Sequence, residues 1–194
     1  MQPAHTTPQE SAAPRSHRDR SVVQAKLDRL EDPHMVALTG CVRALRTSRG
    51  GGESVPWFDP AEGGVRGRIL ILGEAPGPRA LGVDSPRPNS KGSGFISPDN
   101  NDGTAANCWT LIHEAGIDRS DLVTWNIAPW YVGDGQRIRA ANADDLREAA
   151  PALRDLLALL PDLRVVVLYG RKAAAGWAAA GMTVPFIEVP HPSP

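Results

Sequence analysis

Cysteine is nearly missing from this chain. Cys41 and Cys108 are its only two in 194 residues, and they stand far apart at no metal-ligand spacing. Such scarcity fits a reduced, cytoplasmic compartment. An excess of charge is missing too: the formal net charge is -1, so no global basic field marks the chain, although a local basic cleft can sit on a near-neutral body. No apolar run approaches the length of a membrane span, and no membrane contact is expected. The first residues are polar and proline-containing, without the apolar stretch of a secretory signal. Internal repeats are absent. The glycines of Gly73-Glu74-Ala75-Pro76-Gly77 (GEAPG) are not followed by Gly-Lys-Ser/Thr, which excludes a P-loop, and their spacing is wrong for a dinucleotide fingerprint.

What is present describes one domain. At 194 residues and 41% hydrophobic, the chain can bury a real core. Residues 1–20 show no apolar periodicity and read as a disordered tail, so the domain is expected over 21–194. A helix is expected from Pro33 to about Arg46, with Met35, Leu38, Val42 and Leu45 on one face. Ser48 to Ser54 reads as a flexible loop. Trp57 and Phe58 read as packing anchors. A strand-helix alternation then begins. Strands are expected at Arg68–Leu72, Leu122–Ile127, Arg164–Tyr169 and Val184–Val189. Helices are expected at Thr104–Ala115, at Asn142–Leu160 with a break or kink at Pro151, and at Arg171–Ala180 with Gly181 as its C-cap. This order predicts an α/β fold: three αβα layers around a four-stranded parallel sheet.

Ligands of such sheets bind beyond the carboxyl ends of the strands. Three of the four expected strand exits carry polar, backbone-constrained residues. GEAPG follows the first, and its one carboxylate, Glu74, stands where it can orient a water. Asn126 ends the second, offering a donor and an acceptor side by side, as a pyrimidine edge requires; Ala128 to Tyr131 follow it. Pro190-His191-Pro192-Ser193 follows the fourth, where two prolines fix the exit of His191. Phe95, presented by Lys91-Gly92-Ser93-Gly94, reads as a stacking platform or as a loop residue.

GEAPG, the Ser93-Gly94-Phe95 run, Asn126 after a strand and the final His191-Pro192-Ser193-Pro194, in that order across about residues 65–194, resemble the uracil-DNA glycosylase superfamily. The form of GEAPG is most similar to its family 4 branch. The resemblance implies a DNA-repair hydrolase that cleaves the N-glycosidic bond of uracil in DNA and leaves an abasic site. Glu74 and His191 would be catalytic. Gly73, Ala75, Pro76, Gly77, Phe95 and Asn126 would bind the extruded base, and Ser193 would contact a flanking phosphate. Family 4 enzymes hold an iron–sulfur cluster on four cysteines; with two, this chain is expected to be a cluster-free relative needing no metal or cofactor. The partner implied is single- or double-stranded DNA, with the protein monomeric. Because chains of this superfamily usually continue past the last motif, the resemblance also implies a domain truncated at Pro194. Two other readings stay open: a DNA-damage-binding module of weak activity, and an unrelated doubly wound hydrolase or nucleotide-binding protein.

Overall fold

The computed structural model describes residues 13–51, 55–82, 92–133 and 138–194. The first described elements come earlier in the chain than expected. Ser16–Arg18 form a 3-10 turn, and α1 spans Arg20–Leu27 with the Asp19 side chain capping it through the Ser21 N–H. His17 is 2% exposed, and its N–H donates to the Asp99 carbonyl at 3.0 Å. Residues 13–20 therefore do not belong to the disordered tail expected over 1–20, because His17 is an anchor that no periodicity announces; residues 1–12 lie outside those described. α2 (Val36–Ser48) buries Met35, Leu38 and Val42 as the helical spacing predicts, with Leu45 packed at the margin. Pro33 stands in the turn before it rather than at its first position. The loop expected over Ser48–Ser54 is described only as far as Gly51.

Trp57–Phe58 form a short strand, β1, which pairs in parallel with β3 (Phe95–Ile96) in a small second sheet that the sequence reading did not anticipate. The anchoring expected of Trp57 and Phe58 is nonetheless found. The Phe58 ring stacks on Trp125 with centroids 3.6 Å apart, and Arg46 lies over the Trp57 ring.

The main sheet contains β2 (Ile69–Gly73), β4 (Leu122–Asn126), β5 (Val165–Tyr169) and β6 (Phe186–Val189), all paired in parallel in the order β4-β2-β5-β6. Each strand lies within one or two residues of its expected bounds. Three helices make the connections: α3 (Gly103–Glu114), α4 (Ala143–Ala158) and α5 (Gly170–Ala180). From β2 the chain steps one way to β4, then crosses back to β5. With right-handed crossovers, that reversal places α3 on one face and α4 and α5 on the other. The cores agree. Leu70, Leu72, Val166 and Leu168 pack with α4, α5 and α2, whereas Ile71 and Leu122 pack with Ile112 of α3. These are the three layers expected.

Two helices depart from expectation in detail. α4 runs through Pro151 without a break. Pro151 is exposed, so the carbonyl it leaves without a partner faces water. The start of α4 is strongly fixed, because Asn142 and Asp145 form a reciprocal capping box. The sequence of α3 offers Trp109, Leu111 and Ile112 for packing, and only Ile112 of these is buried; Leu111 is 50% exposed and Trp109 stacks on His113. α5 ends on Gly181 at φ 67, the left-handed cap its sequence predicts. No helix among the described residues is long and apolar enough to cross a membrane.

Candidate functional site

The reversal of strand order between β2 and β5 is the place where open α/β sheets hold ligands. Here a cavity of about 400 Å³ opens between the α3 face of the sheet, the loop after β2 and the chain after β6. Gly73, Glu74, Ala75, Pro76, Gly77, Asn126 and His191 all line it. Three strand exits, far apart in sequence, thus meet as expected.

Local chemistry sets each side chain. Gly73 pairs with Asn126 across β2 and β4, and a Cβ at Gly73 would stand 2.6 Å from Asn126 Oδ1. Only glycine lets the amide lie over β2. Asn126 is 8% exposed and faces the cavity. Glu74 is fixed by one oxygen: its Oε1 accepts from the Ala141 N–H at 2.6 Å, just before the capping box of α4. Lys172 Nζ donates to the carbonyl of the same Ala141 at 2.7 Å. Gly77 adds no side chain to the wall, and an added Cβ there would meet nothing within 4 Å.

His191 is exposed on the cavity rim. The Ser193 N–H donates to its Nδ1 at 3.2 Å, which leaves Nε2 as the protonated nitrogen of the neutral ring. Gly170, at φ 80, lies beneath it; a Cβ there would come within 3.1 Å of His191 Cβ. From the other side Asn107 of α3 donates to the Pro192 carbonyl at 2.8 Å, and Pro194 packs on Gly103. The two prolines are therefore helped by α3 in fixing the histidine.

Two expected residues do not reach the cavity. Phe95 is fully buried, its ring 5.8 Å from that of His17, so it presents no face on which a base can stack. Side chains alternate along β3, and Ile96 lines the cavity instead. Ser193 is exposed outside the wall, and its described contact is the backbone one to His191. The segment Ala128–Tyr131 turns inward: Ala128, Trp130 and Tyr131 are all buried. Lys91 lies outside the described residues.

Tyr169 and Cys108 also line the cavity, and sequence reading passed over both. Burial pushes the Cys108 thiol up to about 12, and Tyr169 is raised by burial and by Cys108 beside it, so both stay neutral. The signal for Tyr169 was its place at the one strand exit without a polar run. Cys108 had none, since only the rotation of α3 turns it toward the sheet.

Behind the wall lies a buried charge network. Lys26 Nζ donates to Asp59 Oδ2 at 2.7 Å and to Asp99 Oδ2 at 2.6 Å, and Arg119 reaches both carboxylates. Ser97 Oγ donates to Asp59, and Asn100 Oδ1 accepts from His17 Nδ1; Ser97 and Asn100 themselves line the cavity. Burial alone would raise the Asp59 carboxyl, but Lys26 and Arg119 outweigh it and hold the group well below the usual range. His17, Asp59 and Asp99 bring ligating atoms within 4.8 Å of one another, as a metal site would. Lys26 already sits between the two carboxylates, so the cation there is an ammonium.

Glu62, in the same network, behaves oppositely. Burial raises its carboxyl to about 7 from 4.5, although Arg119 lies 3.7 Å away. Its oxygens accept from Thr124 N–H and Oγ1, and the hydroxyl can turn to accept from a neutral acid. The folded chain thus holds a proton that the unfolded chain releases above about pH 4.5, and this group lowers stability as pH rises toward about 7. His17 works the other way, burial and Lys26 keeping it neutral below its usual 6.5. Glu62→Gln keeps both bonds without the charge. Its stability relative to the parent is expected to improve between pH 5 and about pH 7 and then to level off, in urea melts. A constant difference across that range would mean that Glu62 does not titrate there.

The fold and its cleft define a doubly wound α/β domain with a cavity at its topological switch point. A sequence model of the uracil DNA glycosylase superfamily matches residues 60–194, well over half of the chain, and the protein belongs to that superfamily. No curated protein matches the chain. Membership places it with glycosylase-type hydrolases of base excision repair that act on DNA. The match begins after α1, α2 and β1, so Lys26 and Asp59 reach the buried network from outside the matched region.

Proposed function

We propose that this protein hydrolyses the N-glycosidic bond of uracil in DNA and leaves an abasic site. The observation that carries the reading is the meeting of Glu74, Asn126 and His191 on one cavity wall, in a chain of this superfamily. Each can supply what the reaction lacks in water. As the bond between C1′ and N1 breaks, its electron pair goes to the base and negative charge builds on the base oxygens. The Nε2–H of His191 is placed to meet that charge. Asn126 presents an amide donor and acceptor to the edge of the base. Glu74, held through Oε1, keeps its other oxygen for a water that adds to C1′ and gives up a proton. The base must first leave the stack, at a cost of a few kcal/mol that pocket contacts offset.

The test is base release from oligonucleotides with a single uracil, hypoxanthine or thymine, compared for parent and Asn126→Ala. Uracil release by the parent and its loss on the order of 10²-fold in the variant are expected, the amide acting on the reacting base. A parent that binds DNA without releasing any base would instead be a damage-binding module. Equal rates in parent and variant would make Asn126 a structural residue.

A further inference from the structure

We propose that Arg79 is the phosphate contact of this cleft, taking a phosphodiester of the single strand that enters it; the inference rests on the glycosylase reading above. Arg79 is the one Lys or Arg on the cavity wall among the described residues, where Glu74 and Asp102 supply carboxylates. Its main chain is firmly held. The Arg79 carbonyl accepts from both Ser93 N–H, at 2.9 Å, and Ser93 Oγ, at 3.3 Å, and the Ala80 N–H closes a turn on Gly77. Its guanidinium is not held. Nη1 is closed off from solvent and meets no hydrogen-bond partner, and no ion pair engages the side chain among the described residues.

A shielded, unpaired guanidinium N–H is costly, and native structures tolerate few. Elsewhere the buried cations meet carboxylates: Lys26 meets two and Arg119 three, although Arg119 Nε is also left without a hydrogen-bond partner. Arg79, which meets no carboxylate among the described residues, lines the cleft. A polyanion approaching a chain of net charge -1 needs a local cation, and a guanidinium fork suits a phosphodiester geometrically. Ser193, the residue expected in that role, offers one neutral hydroxyl outside the wall.

The experiment measures binding of the parent, Arg79→Gln and Arg79→Lys to a single-stranded oligonucleotide carrying a non-cleavable abasic analogue, by fluorescence anisotropy across a salt series. Single-turnover uracil release at saturating DNA is measured beside it. Arg79→Gln is expected to weaken binding and to lower the slope of log K against log salt by about 0.7, one single-strand phosphate. Arg79→Lys should restore the slope and part of the affinity, while the saturated rate stays near the parent's in both. An unchanged slope in Arg79→Gln overturns the inference, as does a loss confined to the saturated rate, which would place Arg79 on the base. If the parent binds and the slope changes but no base is released, the phosphate contact stands and the glycosylase reading falls. A parent that does not bind DNA at all sinks both.

Discussion

His191→Ala is expected to slow single-turnover release of uracil about 10²–10³-fold, the usual loss for one aimed donor to a developing oxyanion, with affinity for DNA little changed. The expectation follows from how the ring is held. Nδ1 accepts the Ser193 N–H, so the neutral ring carries its proton on Nε2. That donor needs no reorganisation as charge develops on the leaving base. Gly170 below and Asn107 beside the chain fix its place independently of the side chain. Removing the imidazole therefore leaves the backbone in position and subtracts mainly a transition-state contact. Single-turnover rates at saturating DNA, set against separate titrations of binding, resolve the two effects. Equal losses of binding and rate would show that His191 holds the ground state instead.

Lys26→Met should be the most damaging change to the fold, costing about 3–5 kcal/mol of unfolding free energy, as expected when one partner of a buried ion pair is removed. Its ammonium lies 2.7 Å from Asp59 and 2.6 Å from Asp99, with side-chain exposures of 7%, 0% and 1% for the three residues. Without it two carboxylates share Arg119 alone. The damage should reach the cleft, because Ser97 and Asn100 are bonded into the same network and line the cavity. Urea unfolding with the slope checked for constancy measures the loss. Midpoints that coincide for parent and variant would mean that Arg119 and water compensate.

The charge network shows what a sequence conceals. Lys26, Asp59, Asp99 and Arg119 are spread over residues 26–119, and each looks like an ordinary solvated charge. Periodicity marks which side of a helix or strand is apolar, but it carries no information about which distant polar residue will meet it. His17 was lost in an expected tail for the same reason. Phe95 fails differently. Its residue type suits stacking, yet the pairing of β1 with β3 decides which of Phe95 and Ile96 faces the cleft, and a register of that kind is set by the partner strand.

The sequence by itself determined the main sheet, its three covering helices and the meeting of Glu74, Asn126 and His191. Continuous apolar runs such as Ile69–Leu72 can be stable only between two covered faces, and alternation with helices makes their exits share one edge of the sheet. Only the tertiary structure decided what surrounds those three residues: Tyr169 and Cys108 at the sheet and α3, Arg79 left unpaired on the wall, and the buried ions behind it. Those depend on side-chain direction, strand register and the distance between segments remote in sequence, which are fixed only when the layers pack.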